Sequence, residues 1–208
     1  MIKLIFSPGG LILIGAIIAA VGGYLSYVQS QKFEGEIQGK NVKIEELNKY
    51  ILSSITGGNS YCKLTFMFLD NNDALMMVIP SGEFPLFDVS LRIVDLEKFE
   101  EDTKKNLSLE SLSKSQIIRN IGNVSPKTTV TMGKINLGSG DKKDYNVFIS
   151  ARNGHLQQLI RLRRVDGKWL QANSMKRMEE KNGELASVTI SEDIPDGFPR
   201  NEKGKVDW

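Results

Sequence analysis

The hydrophobic pattern of the chain begins with a long uncharged run. Residues 11–28 are eighteen positions without a charge. As an α-helix with a rise of about 1.5 Å per residue, this run spans about 27 Å, close to the hydrocarbon core of a bilayer. We therefore predict an N-terminal flank over 1–10 and a transmembrane helix over 11–28. The alternative is a cleaved signal peptide, although the run is longer than the apolar part of a typical signal peptide.

Small residues recur along one stripe of this helix. Gly15, Ala19 and Gly23 are spaced four residues apart. This spacing lets two membrane helices approach closely, so we mark the three as a candidate helix-dimer face and expect a homodimer. The alternative is that Gly and Ala are simply common in membrane helices.

Basic residues beside the apolar run bear on its orientation. The N-terminal side carries Lys3 and the α-amine, and the C-terminal side carries Lys32, Lys40 and Lys43. Cytoplasmic flanks of membrane helices are enriched in Lys and Arg. Three groups against two favour a cytoplasmic C-terminal domain.

A pattern with a period of seven follows over 29–56. It predicts a helical stalk, which is either an amphipathic helix that packs on its own domain or a short coiled coil. Lys40 and Ser54 interrupt the pattern at position d. The glycines at 57 and 58 are typical of a helix end. The apolar positions are Ile37, Ile44 and Ile51 at a, and Phe33 and Leu47 at d.

From Tyr61 the period becomes two, which predicts strands. Residues such as Asn153-Gly154, a type I′ hairpin signal, separate the alternating stretches. Seven to nine short strands with turns between them are typical of an antiparallel sandwich. We predict a mainly β fold, an immunoglobulin-like β-sandwich over 57–190. The predicted strands cover 61–68, 74–79, 87–93, 128–137, 144–152, 155–165, 168–173 and 184–190.

Two stretches depart from this alternation. Residues 96–120 are charged and rich in Ser, which predicts a small helical insertion with helices near 97–105 and 109–120. Residues 191–208 are charged and contain Pro and Gly, which predicts a flexible tail.

Composition excludes several classes of site. The 208 residues carry 27 Lys and Arg against 25 Asp and Glu, one His and one Cys. A single Cys excludes an intramolecular disulfide and a Cys-based zinc site, and a single His excludes multi-His metal sites. The net charge of +2 gives no general attraction to nucleic acid, which we do not expect as a partner.

Individual candidates for catalysis lack the neighbours that they need. His155 follows a predicted hairpin turn and should be exposed, and Cys62 lies on the apolar face of its strand without a nearby activating base. Residues 70–73 offer oxygen ligands, but without the spacing of a calcium-binding EF-hand loop. We predict no enzyme activity, no cofactor and no metal site.

One group of basic residues is a candidate anionic-ligand patch. Arg161 and Arg163 share a strand face, Arg152 lies on the preceding strand, and Lys168 and Trp169 follow on the next. Basic strands with an aromatic residue bind nucleic acid or anionic lipid. The alternative is an outward sheet face whose charges prevent edge aggregation.

Three stretches of sequence resemble a set of uncharacterised bacterial membrane proteins. They are residues 56–62 (TGGNSYC), 82–89 (GEFPLFDV) and 92–96 (RIVDL). Those proteins have one N-terminal transmembrane helix, a short coil and a β-rich C-terminal domain. The resemblance implies the same architecture and a location in the bacterial inner membrane, and it implies no activity.

These patterns together predict a membrane-tethered protein-interaction or scaffold module. Its expected partners are the lipid bilayer and an unidentified protein. The alternatives are an enzyme whose carboxylate site is not visible in the sequence, or a basic-patch binder of nucleic acid or anionic lipid.

Overall fold

The fold is described from a computed structural model, which covers residues 8–105, 115–181 and 184–208. These residues form two compact units that divide between Ile51 and Leu52. The helices and strands in chain order are α1 (Pro8–Thr56), β1 (Tyr61–Phe68), β2 (Asp73–Ser81), β3 (Leu86–Asp95), α2 (Leu96–Lys105), β4 (Gln116–Val124), β5 (Val130–Asn136), β6 (Lys142–Ala151), β7 (Gly154–Val165), β8 (Lys168–Lys181) and β9 (Glu184–Asp193).

The predicted membrane segment and stalk are one unbroken helix, α1. It has 49 residues, and it is long enough and apolar enough to cross a membrane. Pro8 suits the first helical position because the N–H that proline lacks would be unsatisfied there. The helix ends where Gly57 adopts a φ of 100° and its N–H donates to the carbonyl of Ser53 at 2.8 Å.

The strands form two antiparallel sheets. The small sheet has the order β1-β2-β5 and the large sheet has the order β4-β3-β6-β7-β8-β9. The predicted mainly β, sandwich-like architecture is therefore confirmed. The immunoglobulin-like topology is not confirmed: β6 to β9 are four consecutive neighbours in one sheet, whereas a constant-type immunoglobulin domain has at most two consecutive strands side by side before the chain crosses to the other sheet.

The core lies between the two sheets. Each contributes the inward residues of its alternating strands, and Phe66 of the small sheet stacks on Tyr145 of the large sheet with ring centroids 5.3 Å apart. Such contacts remove apolar surface from water and hold the sheets together. The fully buried residues include Leu64, Val78, Leu91, Ile93, Val147, Ile160 and Leu162.

Amide side chains from the large sheet cap the free edge of β1. Gln158 is fully buried; its amide accepts a hydrogen bond from the N–H of Leu64 and donates one to the Leu64 carbonyl, both at 2.8 Å. Gln171 accepts from the N–H of Phe66 at 2.9 Å. Asn173 accepts from both glutamines, at 2.9 and 2.7 Å. Backbone groups of an edge strand that would otherwise be buried and unsatisfied are paired in this way.

The turn between β6 and β7 differs from the predicted one. At the β6–β7 hairpin the turn residues are Arg152 and Asn153, and neither has a positive φ, so the turn is not type I′. The side chain of Asn153 instead donates to the carbonyls of Gly58 and Ser60, at 3.0 and 2.7 Å. The pair of positive φ angles that defines type I′ occurs between β7 and β8, at residues 166–167.

The predicted insertion is partly helix and partly strand. Asp95 immediately precedes α2, and its side chain accepts a hydrogen bond from the N–H of Lys98 at 3.3 Å, as a helix cap does. Residues 106–114, which include the first half of the second predicted helix, lie outside the described residues. Residues 116–120 belong to β4, because pairing with β3 buries one side of this isoleucine-rich stretch.

The segment after β9, predicted to be part of a flexible tail, packs on the large sheet. Phe198 and Val206 are buried against Ala172 of β8, with Trp208 beside them. The Arg161 guanidinium also donates to the carbonyl of Asp207 at 3.1 Å. Few apolar residues stand among the charges of this segment, so its local composition does not reveal the contact.

Candidate binding surface on the outer face of the large sheet

The five residues of the sequence-predicted basic patch do not form one surface. Arg152 lies at the β6–β7 turn and Lys168 pairs with Val165 at the opposite end of β7. Eleven residue steps separate the two ends of β7, which is about 36 Å at about 3.3 Å per step. A ligand that contacts both ends would have to run the length of the sheet.

Arg152 is held by neighbours of its own. It contacts Asp88 at 2.9 Å, stacks over Phe87 at 4.8 Å, and donates to the carbonyl of Ile55 at 3.4 Å. These contacts join the last turn of α1 to the start of β3 and the end of β6. Arg152 therefore fastens residues 52–56 to the strands that follow.

The remaining members of the predicted patch are largely buried or paired. Arg161 is 5% exposed and donates to the carbonyls of Tyr145 and Ile160; burial lowers its pKa. Arg163 forms a bidentate pair with Asp144. Trp169 is 9% exposed and stacks against Phe68 on the inner side, and Lys168 alone is exposed.

The predicted helix-dimer face lies on α1. Gly15, Ala19 and Gly23 are all exposed, and a Cβ atom built on either glycine would meet nothing within 4 Å. The face is therefore open to a second helix.

In the described structure, neither Cys62 nor His155 has the neighbours that catalysis by these residues needs. Burial raises the pKa of Cys62 from 9.0 to about 12, so the thiol stays protonated. His155 Nδ1 lies 2.9 Å from the hydroxyl of Ser150, but within the described part of the chain its other ring nitrogen has no partner to orient it. A serine nucleophile needs such a third group.

An ionisable cluster at the end of β3 is internal. Lys143 Nζ lies 2.7 Å from Glu97 and 3.2 Å from Asp95. Burial opposes the charge of Lys143, but the hydrogen bond to Glu97 and the charge of Asp95 raise its pKa. The adjoining cavity of about 30 Å³ has room for about one water molecule, so it does not admit a substrate. Among the residues described, no three metal-binding side chains converge.

The register of the large sheet creates a surface that the sequence does not reveal. Residues directly opposite each other in an antiparallel pair share a face. The pairings therefore place ten residues in two rows on the side away from the core, a surface that we call the outer strip. The first row is Ile118, Arg92, Phe148, Gln157, Lys176 and Thr189, and the second is Asn120, Ser90, Ser150 and His155.

The outer strip is positively charged. Neither row contains Asp or Glu, and in the described ranges neither Arg92 nor Lys176 has a carboxylate partner. Arg92 lies over the Phe148 ring at 4.4 Å. Arg92 and Lys176 are three strands apart, about 14 Å at about 4.8 Å per strand. Two unpaired cations with an aromatic ring between them can bind a negatively charged polymer.

The alternation of residues along β3 points Arg92 outward, but it does not reveal the neighbours that Arg92 meets on the sheet. Only the register brings Phe148, Gln157 and Lys176 into line with it. Neither a family model, nor a curated protein, nor a solved structure matches the chain. The assignment of a function therefore depends on the surface itself.

Proposed function

We propose that the protein is a membrane-tethered binding module without catalytic activity, whose outer strip binds an acidic segment of a partner protein. The observation that carries this proposal is the strip of two rows without Asp or Glu, in which neither Arg92 nor Lys176 pairs with a carboxylate of the described residues. The uncharged run at 11–28, inside α1, supplies the membrane anchor.

The shape of the strip favours a polypeptide over a small molecule. Its first row crosses six strands, about 24 Å at about 4.8 Å per strand, and it lies on a sheet face rather than in a cleft. Small molecules bind mainly in concave sites. An extended acidic segment, by contrast, can lie along the row and meet both cations. A surface of this extent supports a weak, transient contact.

The number of cations disfavours nucleic acid as the partner. Each phosphate neutralised by Lys or Arg contributes about one unit to the salt dependence of binding, and strong binders neutralise about six to ten. Arg92 and Lys176 supply two such cations. Anionic lipid stays the second candidate, since a cation near an anionic membrane surface contributes about 1 kcal/mol.

We further propose a bacterial inner-membrane location with the β domain in the cytoplasm. The basic residues Lys32, Lys40 and Lys43 on the C-terminal side of the apolar run support this orientation. We expect a reporter that is active in the cytoplasm alone to give a signal when fused after Trp208. A signal from a periplasm-specific reporter at the same position would contradict this orientation, and a shortened product would contradict the anchor.

The binding proposal predicts that removing the charges of Arg92 and Lys176 weakens the binding of an acidic ligand. The test measures the affinity of a fluorescent ten-residue glutamate peptide for the full chain in detergent, with Arg92→Gln/Lys176→Gln against the unaltered protein. Two exposed charge contacts contribute about 0.5–1 kcal/mol each, so we expect about tenfold weaker binding.

Lys134→Gln/Lys168→Gln is the matched control, because it removes the same charge from exposed positions outside the strip. Its affinity for the peptide should stay within about twofold of that of the unaltered protein. Equal weakening by both double variants, or no binding by the unaltered protein, would overturn the proposal. Strip-dependent binding to single-stranded DNA or phosphatidylglycerol vesicles, but not to the peptide, would replace the protein partner by the corresponding ligand.

A further inference from the structure

The unbroken course of α1 joins two patterns that the sequence presents separately. The stalk has its apolar seam at heptad positions a and d. Because α1 continues without interruption from Pro8 to Thr56, the same register extends into the uncharged run. There, positions a and d are Ala16, Ala19, Gly23, Ser26 and Ser30.

The residue size along this seam changes where the surroundings change. Between residues 16 and 30, all five seam positions hold Gly, Ala or Ser. Only two of the ten other positions in this range hold one of these small residues. In lipid, where no hydrophobic effect drives helices together, small residues permit close packing. In water, large apolar residues supply the driving force. The seam has the residue type that helix pairing needs in each of the two solvents.

The stalk part of the seam exposes large apolar side chains in the described structure. Five large apolar side chains on it are each more than half exposed. At roughly 100 Å² per side chain, they present roughly 500 Å² per chain, or about 1,000 Å² for a pair. That approaches the lower limit of about 1,200 Å² for a specific interface before the segment at 16–30 is added. These side chains are Phe33, Ile37, Ile44, Leu47 and Ile51.

We propose that a second copy of this chain covers this face, in a parallel dimer with one continuous left-handed seam from Ala16 to Ile51. The two helices pair in parallel because both copies cross the membrane in the same orientation, with the stalk on the same side. Lys40, the one charged residue in the seam between Ala16 and Ile51, fixes the register, because a shifted alignment would place its charge against apolar side chains. Ile12, the next seam position toward the N-terminus, is large, so close approach begins at Ala16.

The proposed dimer uses a different helix face from the stripe predicted from the sequence alone. A stripe with a spacing of four, such as Gly15, Ala19 and Gly23, favours a right-handed crossing, whereas a heptad seam favours a left-handed one. One unbroken helix, without proline from 9 to 56, does not change hand between its two parts without a kink. Ala19 and Gly23 therefore belong to the seam, and Gly15 lies beside it.

Cysteine scanning distinguishes the two geometries. Single cysteines are placed from 15 to 30 in a Cys62→Ala background, and oxidation in native membranes is followed by the amount of disulfide-linked dimer. We expect maxima at Ala16, Ala19, Gly23, Ser26 and Ser30, at least fivefold above Ile17 and Val21. Maxima with a spacing of four, which include Gly15 and Tyr27, would overturn the continuous seam. Uniformly weak crosslinking would overturn the dimer.

A stalk variant tests whether the two parts act together. Ile44→Asp, at a seam position, should reduce crosslinking at Ser26 at least fivefold. Val42→Asp is the matched control, because Val42 is 56% exposed, like Ile44 at 55%, but lies off the seam. An equal effect of both variants, or of neither, would contradict a continuous interface. This proposal does not depend on the outer strip: failure of crosslinking leaves the peptide-binding result unchanged.

Discussion

Replacing Gln158 by Leu should lower the free energy of unfolding by about 3 kcal/mol. Leucine is close to glutamine in size, but it cannot pair with the N–H and the carbonyl of Leu64, which Gln158 contacts at 2.8 Å. Each buried backbone group left unsatisfied costs about 1–3 kcal/mol, and the added apolar burial offsets part of that cost. Urea titration of the full chain in detergent, followed by tryptophan fluorescence, measures the change.

Gln157→Leu is the matched control for this experiment. Gln157 is the adjacent residue of the same strand, but it lies on the outer face and is only half-buried. We expect its effect to stay within about 0.5 kcal/mol, as for surface substitutions in general. Equal effects at 157 and 158 would show that the capping of the β1 edge does not contribute to stability.

The second large effect is a loss of stability in alkaline solution that depends on Cys62. The pKa of its thiol is raised by burial from 9.0 to about 12 in the folded chain. Between these values the unfolded chain loses the thiol proton and the folded chain keeps it, so stability falls as the pH rises. Three pKa units correspond to about 4 kcal/mol, present below pH 9 and lost by about pH 12.

Cys62→Ala should flatten this dependence. We expect the stability of the unaltered protein to fall by about 2–3 kcal/mol more than that of the variant between pH 9 and pH 11. Burial also raises the pKa of Tyr145, and its contribution falls in the same direction, but it begins near pH 10 and is common to both proteins. Parallel pH profiles for the two proteins would show that the thiol does not titrate differently on folding.

Both effects depend on contacts that sequence patterns predict to different degrees. The burial of Cys62 follows from alternation along β1, with Leu64 and Phe66 on the same face. The role of Gln158 does not follow from any local pattern, because a buried glutamine in a strand looks like a break in the apolar face. Its partner Leu64 is 94 residues away in the chain.

The sequence alone determined those features of the protein that depend on a short repeat of apolar residues along the chain. The uncharged run, the heptads and the alternation of strands such as β1 and β6 each depend on neighbours within one turn or one strand. Periodicity also predicted which residues face inward, such as Val147 and Ile149. Local geometry decides these properties, so a local pattern reports them.

The tertiary structure decided everything that needs register or long-range contact. It buried Arg161 under the final residues of the chain, and it separated Arg152 from Lys168. It also aligned Arg92 with Lys176 across four strands, and joined the two predicted helical segments into one helix. Strand order and pairing arise from the packing of the whole core, and a side-chain period of two leaves them unspecified.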